Sequence, residues 1–168
     1  MTAVKIKMLE IRKAVEKDKD PVWEIIESVI ATGDTYVFRP GTPREKMLDY
    51  WFSEDKKTYV ALAENEIVGT FFLKDNQPGL GAHIANAGYM VAPEAKGMRV
   101  GRTMAEFSLS EAKRLGYRAM QFNFVVKSNE IAVKLWLALG FEIIGEIPEA
   151  FDHAENGLTN AFAMYRKL

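Results

Sequence analysis

A chain of 168 residues with 48% hydrophobic and 27% charged residues, 12 Gly and 6 Pro has the composition of one globular domain over residues 1–168, which excludes a disordered, collagenous or coiled-coil chain. Its 22 Lys and Arg against 23 Asp and Glu leave a net charge of −1, so general affinity for nucleic acid is not expected. With no Cys and 2 His, disulfides, thiolate ligands and a Cys nucleophile drop out, and no metal is assigned.

Residues 8–14 alternate apolar and polar and read as a first strand. Val22, Ile25, Ile26, Val29 and Ile30 then recur at helical spacing within 18–31. Gly33 to Gly41 reads as a loop, after which Thr42 as cap and Pro43 at the first helical position open a second helix through Trp51. Residues 58–62 and 67–73, rich in β-branched and aromatic side chains, flank Glu64-Asn65-Glu66 and read as a hairpin. A strand from about His83 to Val91, a helix from about Val100 to Leu115 and a strand from Ala119 to Val126 make a βαβ unit. Ser128 is placed to cap a helix with apolar Ile131, Ala132, Leu135, Trp136 and Leu139, ended by Gly140. Residues 141–147 and 161–165 close the chain as strands. The expected class is α/β, with antiparallel N-terminal strands, a central parallel pair and flanking helices. The longest apolar run, Leu135 to Phe141, is too short for a membrane span, and the N-terminus carries charges where a leader would be apolar. The expected location is cytoplasmic, with no membrane partner.

The chemistry concentrates in residues 93–103, Pro-Glu-Ala-Lys-Gly-Met-Arg-Val-Gly-Arg-Thr, between a buried strand and a helix start. There the first amides of the helix lack partners and its positive dipole end faces outward. Gly97 and Gly101 let the backbone approach a ligand, and Lys96, Arg99 and Arg102 add positive charge, which suits a diphosphate. An ordinary solvated helix start is the alternative. The run fits neither the dinucleotide fingerprint nor the nucleotide-triphosphate loop.

Val91-Ala92-Pro93 followed by Lys96-Gly97-Met98-Arg99-Val100-Gly101 resembles the central motif of the GNAT superfamily of N-acetyltransferases. Asn129-Glu130-Ile131-Ala132, through Trp136 to Gly140-Phe141, is similar to its second motif. Lys96 stands where Arg or Gln is usual, and Arg99 where the first motif Gly is usual. The resemblance implies an acetyl-CoA site. Pyrophosphate would lie on Lys96, Gly97, Met98, Arg99, Val100, Gly101, Arg102 and Thr103. Pantetheine would run beside Tyr89, Met90 and Val91, with Asn129 and Trp136 near the cofactor arm.

Direct acetyl transfer needs a neutral amine and a donor to the developing oxyanion. An alkyl amine with a pKa near ~10 is about one part in a thousand neutral near pH 7, so a base or an unusual amine is required. The family's frequent Glu is absent from residues 83–90, and its Tyr on the final helix is replaced by Trp136, whose indole donates hydrogen bonds but no proton. Asn86 is a polar amide in an apolar strand, and Asn123 repeats the pattern in the neighbouring strand; both are taken as buried catalytic amides that polarise or position, with a satisfied structural amide where the parallel strands splay as the alternative for each. The same asparagines resemble a branch containing the yeast acetyltransferase for the proline analogue azetidine-2-carboxylate, which implies a small amine substrate. Thr35, Tyr36 and Phe38 are candidate substrate contacts, Asp34 can attract a cationic amine, and His153 beside Asp152 is a candidate relayed base. The resulting expectation is an acetyl-CoA-dependent N-acetyltransferase for a small metabolite amine. A non-catalytic acyl-CoA-binding module and a protein or peptide N-acetyltransferase with an open groove are its rivals. A homodimer is also expected, with the strand Phe141-Glu142-Ile143-Ile144 as a candidate contact.

Overall fold

The computed structural model describes residues 8–168, and the charged N-terminal segment read above lies in 1–7, outside the described residues. One seven-stranded sheet organises the chain. In chain order the elements are β1 (Leu9–Lys13), α1 (Lys19–Ile30), α2 (Arg44–Trp51), β2 (Lys56–Ala63), β3 (Glu66–Asp75), β4 (Ile84–Val91), α3 (Val100–Arg114), β5 (Ala119–Val126), α4 (Glu130–Ala138), β6 (Glu142–His153) and β7 (Gly157–Lys167). The strands lie in the order β1-β2-β3-β4-β5-β7-β6, and among the described residues only β4 and β5 pair in parallel. The expected mixed architecture is therefore present, with α3 as the crossover between the parallel strands. Among the described residues no helix is long and apolar enough to cross a membrane.

The helices pack where the sheet offers small residues. At Gly69 on β3 a Cβ would stand 2.8 Å from Val100 Cγ1 and 2.9 Å from Met104 Sδ, so α3 lies directly on the strand. Val100, Met104, Ala105, Ser108, Leu109 and Ala112 form its buried face. On the other face of the sheet, α1 contributes Val22, Ile25, Ile26 and Ile30, and α2 contributes Met47, Leu48 and Trp51. The Trp51 indole donates to Thr70 Oγ1 at 3.0 Å, and that hydroxyl donates to Tyr59 O at 2.8 Å, so the buried polar groups are paired.

Several sequence expectations shift by a residue or more. Thr42 does not cap α2: its hydroxyl donates to Arg39 O at 2.6 Å within the preceding turn, and the helix starts after Pro43. Asn129, not Ser128, caps α4, because the chain leaves β5 through an Asn129 N–H bond to Val126 O and the Asn129 side chain then accepts from Ala132 N. The final strands run longer than expected, to Glu142–His153 and Gly157–Lys167, because β6 and β7 are one extended hairpin with register shifts. Phe141 is not on the exposed strand: it is buried and stacked on Phe122 with centroids 4.6 Å apart. Ile143, Ile144 and Ile147 are exposed on the edge strand β6.

Candidate functional site

β4 and β5 pair only at Ile84↔Ala119 and Ala85↔Met120, and then part. Ala92 N–H donates to Val68 O and Asn76 N–H donates to Ile84 O, which fixes the side of β4 that faces β3. By the alternation of an antiparallel ladder, the backbone groups of Ala87, Tyr89 and Val91 face away from β3, toward the strand that has parted. Side chains meet part of this row, Asn86 Oδ1 at the Ala87 N–H and the Tyr36 hydroxyl at both backbone groups of Tyr89. The Tyr89 side chain turns to the α3 face, where its hydroxyl meets Ser108 Oγ at 2.6 Å. Trp136 packs beside it, with ring centroids 5.0 Å from Tyr89 and 4.5 Å from Phe122. Met90 is buried on the opposite side.

At the C-terminal end of β4 the chain makes the turn that presents the helix start. Gly97 has φ 82° and Arg99 has φ 60°, both left-handed, and Arg99 is the last residue before α3. Arg99 thus takes the conformation that glycine adopts most easily, at a strain of about 1–2 kcal/mol. Thr103 N–H is the first α3 amide bonded within the helix, to Arg99 O at 3.0 Å. The amides of Val100, Gly101 and Arg102 precede it and have no intrahelical acceptor. Nothing lies within 4 Å of a Cβ built at Gly97, and at Gly101 such a Cβ meets only Val91 Cγ2, at 3.7 Å. Lys96 and Met98 flank this surface, while Arg102 Nε is paired to Glu106 at 2.8 Å. Free amides, open approach and cationic side chains fit a diphosphate, and the backbone of β4 that faces away from β3 fits an extended arm leading from it.

The opposite face of the parting strands carries polar side chains. Asn86 sits at the first position after the pairing ends; its Oδ1 accepts from the Ala87 N–H at 2.7 Å, which directs the amide nitrogen elsewhere. Asn123 was expected to be buried, but it is exposed, at the irregularity of β5 between Phe122 and Val125. Its amide donates to Asn76 Oδ1 at 2.7 Å and accepts from Gln121 Nε2 at 3.0 Å. Gln121 and Asn76 were not legible as partners, since neither lies in a motif. Tyr36 reaches the same gap from between α1 and α2: its hydroxyl donates to Tyr89 O at 2.7 Å and accepts from Tyr89 N–H at 2.8 Å. Burial pushes this phenol above its usual range, so it remains a protonated donor. Phe38 packs edge-on against Tyr50, 4.8 Å between centroids.

A cavity of about 270 Å3 adjoins this region, lined by Asp34, Thr35, Ser128, Asn129, Glu130, Ile131 and His153. It joins Thr35 and Asn129, singled out separately in the sequence. Ala154 N–H donates to Gly33 O at 3.1 Å, tying the α1–α2 segment to the β6–β7 turn across the cavity. The relayed-base expectation for His153 does not fit its geometry. Its Nδ1 accepts from Glu155 N–H and Asn156 N–H, both at 3.1 Å, so that nitrogen's lone pair is taken within its own turn. A larger cavity of about 630 Å3 lies by β1 and β3, lined by residues such as Glu10, Arg12, Lys17 and Glu66, and touches none of these site residues.

The profile described as "Acetyltransferase (GNAT) family" matches residues 23–141. The chain is 34% identical over 87 residues to the N-acetyltransferase aca1 of Schizosaccharomyces pombe, a match spanning 52% of this chain and 42% of that protein, less than half its length. A solved GCN5-related N-acetyltransferase from Kribbella flavida is 36% identical, covers 95% of this chain and 98% of its own, and has a TM-score of 0.91. A phosphinothricin acetyltransferase from Sinorhizobium meliloti, solved in complex with AcCoA, shares the fold at 21% identity and TM-score 0.83, covering 95% of this chain and 88% of its own.

Proposed function

The chain belongs to the GNAT family of acetyltransferases, and from that premise we propose that it transfers an acetyl group from acetyl-CoA directly to the amine of a small metabolite such as an amino acid or amino-acid analogue. The donor supplies an activated acetyl thioester. In this reading the amides of Val100, Gly101 and Arg102 hold the pyrophosphate beside Gly97, with Lys96, Arg99 and Arg102 nearby, while Met98 and Thr103, whose own amides bond Ala95 O and Arg99 O, shape the turn. Tyr89, Met90 and Val91 carry the arm, and Asn129 and Trp136 border it. Asn86 directs its amide nitrogen to the reacting carbonyl, where a hydrogen-bond donor stabilises developing negative charge. Asn123, held through Asn76 and Gln121, orients the acceptor amine, and Thr35, Tyr36 and Phe38 wall its site. Residues 84–91 contain no carboxylate and the His153 lone pair is engaged, which leaves Asp34 and Glu130 on the cavity wall as the carboxylates beside the acceptor amine.

The observation that carries the small-acceptor reading is the closure over the gap. The segment leading to Tyr36 is tied to the β6–β7 turn by the Ala154 N–H bond to Gly33 O, beside a cavity of about 270 Å3. A peptide acceptor calls for an open groove at that place. The reading extends to a cytoplasmic enzyme and to a homodimer through the exposed Ile143, Ile144 and Ile147 of β6, checked by light scattering of the eluting species. The decisive experiment is thiol release from acetyl-CoA against amino acids, proline analogues, polyamines, antibiotic amines and short peptides. Turnover of an amino-acid-like amine supports the proposal; preference for peptides overturns the acceptor class, and tight donor binding without turnover overturns the activity.

A further inference from the structure

Tyr36 occupies an unusual place for a side chain from a connecting segment. One phenolic oxygen lies 2.7 Å from Tyr89 O and 2.8 Å from Tyr89 N, closing both backbone groups of the residue that β5 leaves behind. In a continuous sheet those groups would be met by two different residues of a neighbouring strand. Gly88 makes room for the arrangement: a Cβ there would stand 3.4 Å from the Tyr36 hydroxyl and 2.8 Å from the Phe72 ring. Trp51 supports the phenol edge-on, with centroids 6.3 Å apart.

An amide N–H has one proton, so a second acceptor at Tyr89 must take the place of the Tyr36 oxygen. An extended chain that follows β4 from Val91 toward Ala87 crosses Tyr89 on the way, because the backbone groups facing away from β3 recur every second residue. We infer that Tyr36 is an exchangeable stopper: the acetyl-bearing end of acetyl-CoA and the Tyr36 hydroxyl compete for the backbone of Tyr89, and donor binding releases the phenol. The release shifts residues 34–38, and Asp34 and Thr35 of that segment line the neighbouring cavity. Donor binding is thereby coupled to the shape of the acceptor cavity through a single hydroxyl. The inference rests on the acetyl-CoA reading above.

The test uses the whole chain and two probes, acetyl-CoA and adenosine 3′,5′-bisphosphate, which lacks the arm. By calorimetry Tyr36→Phe is expected to bind acetyl-CoA roughly three- to tenfold more tightly than the native protein, since about one net hydrogen bond no longer has to be given up. The bisphosphate is expected to bind both proteins equally. In protein labelled with 3-fluorotyrosine, the Tyr36 resonance, assigned by its absence in Tyr36→Phe, is expected to move on saturation with acetyl-CoA and to stay in place with the bisphosphate. Should Tyr36→Phe not fold, 3-fluorotyrosine placed at position 36 alone in the native chain gives the same fluorine measurement without that assignment. A fixed Tyr36 resonance under saturating acetyl-CoA, or equal or weaker acetyl-CoA affinity of the variant, overturns the stopper while leaving the proposed function standing. Failure of the native protein to bind acetyl-CoA overturns both.

Discussion

The turn at residues 96–103 and the polar gap around Tyr36, Asn86 and Asn123 are built from different materials. The turn works with backbone: unpaired amides, left-handed Gly97 and Arg99, and a helix start, all from eight consecutive residues. The gap works with side chains gathered from the α1–α2 segment, β4, β5 and the β3–β4 connection. A backbone site tolerates change of the side chains around it but not obstruction of its amides. A side-chain site fails when one amide is lost and survives changes elsewhere. In the proposed function the first region binds the donor and the second handles the acceptor, and each half of that proposal can be broken separately.

The largest effect is expected where a charge is placed against the amides. Gly101→Asp should weaken acetyl-CoA binding roughly a hundredfold by calorimetry, through repulsion of the phosphates at the helix start. The fold should persist, because a Cβ at Gly101 meets only Val91 Cγ2 at 3.7 Å. Unchanged affinity would remove the turn from the donor site. Next, Asn86→Ala should lower kcat by roughly 30-fold, about 2 kcal/mol of transition-state stabilisation, with donor affinity kept. Full activity in that variant would reduce Asn86 to a structural amide bonded to Ala87.

Asn123→Ala should act more weakly, lowering kcat/KM for the acceptor by about three- to tenfold, because exposed Asn123 is one member of a chain with Asn76 and Gln121. An effect on acetyl-CoA affinity instead would blur the division between the two regions. Arg99→Gly sharpens it from the other side. Its left-handed φ of 60° needs no side chain, so relief of strain and the added freedom of the unfolded chain should nearly cancel in stability. Loss of the charge should raise the KM for acetyl-CoA by about threefold, most clearly at low salt.

The smallest effect concerns stability alone. The Arg114 guanidinium holds the Glu111 carboxyl down to about 2, with help from the Tyr59 hydroxyl and against its partial burial. A folded-state value below the unfolded one means that this contribution is complete above about pH 4.5 and is lost as pH falls toward 2. Acid unfolding of Glu111→Gln should therefore show a shallower dependence over that interval, with acetyl-CoA affinity at pH 7 unchanged. A parallel curve for variant and native protein would show that the carboxylate contributes nothing to acid stability.

The sequence by itself determined what is local. The helix between Val100 and Arg114, the strand at 119–126 and the turn before α3 follow from spacing, glycine placement and a helix start, interactions that close within a few residues. The parallel pair was legible because a strand, a helix and a strand in succession leave little topological choice. The caps were misread by one residue or more because Thr42 and Asn129 find partners, Arg39 O and Ala132 N, that compete within a single turn. Only the tertiary structure decided the rest. That Asn123 is exposed, that Asn76 holds it, that the His153 lone pair is taken by its own turn and that the Tyr36 hydroxyl closes the Tyr89 backbone all depend on how the chain turns or on segments as far apart as 53 residues. Local periodicity reports which face of an element is apolar; it carries no information on which distant polar atom will meet another where two strands part.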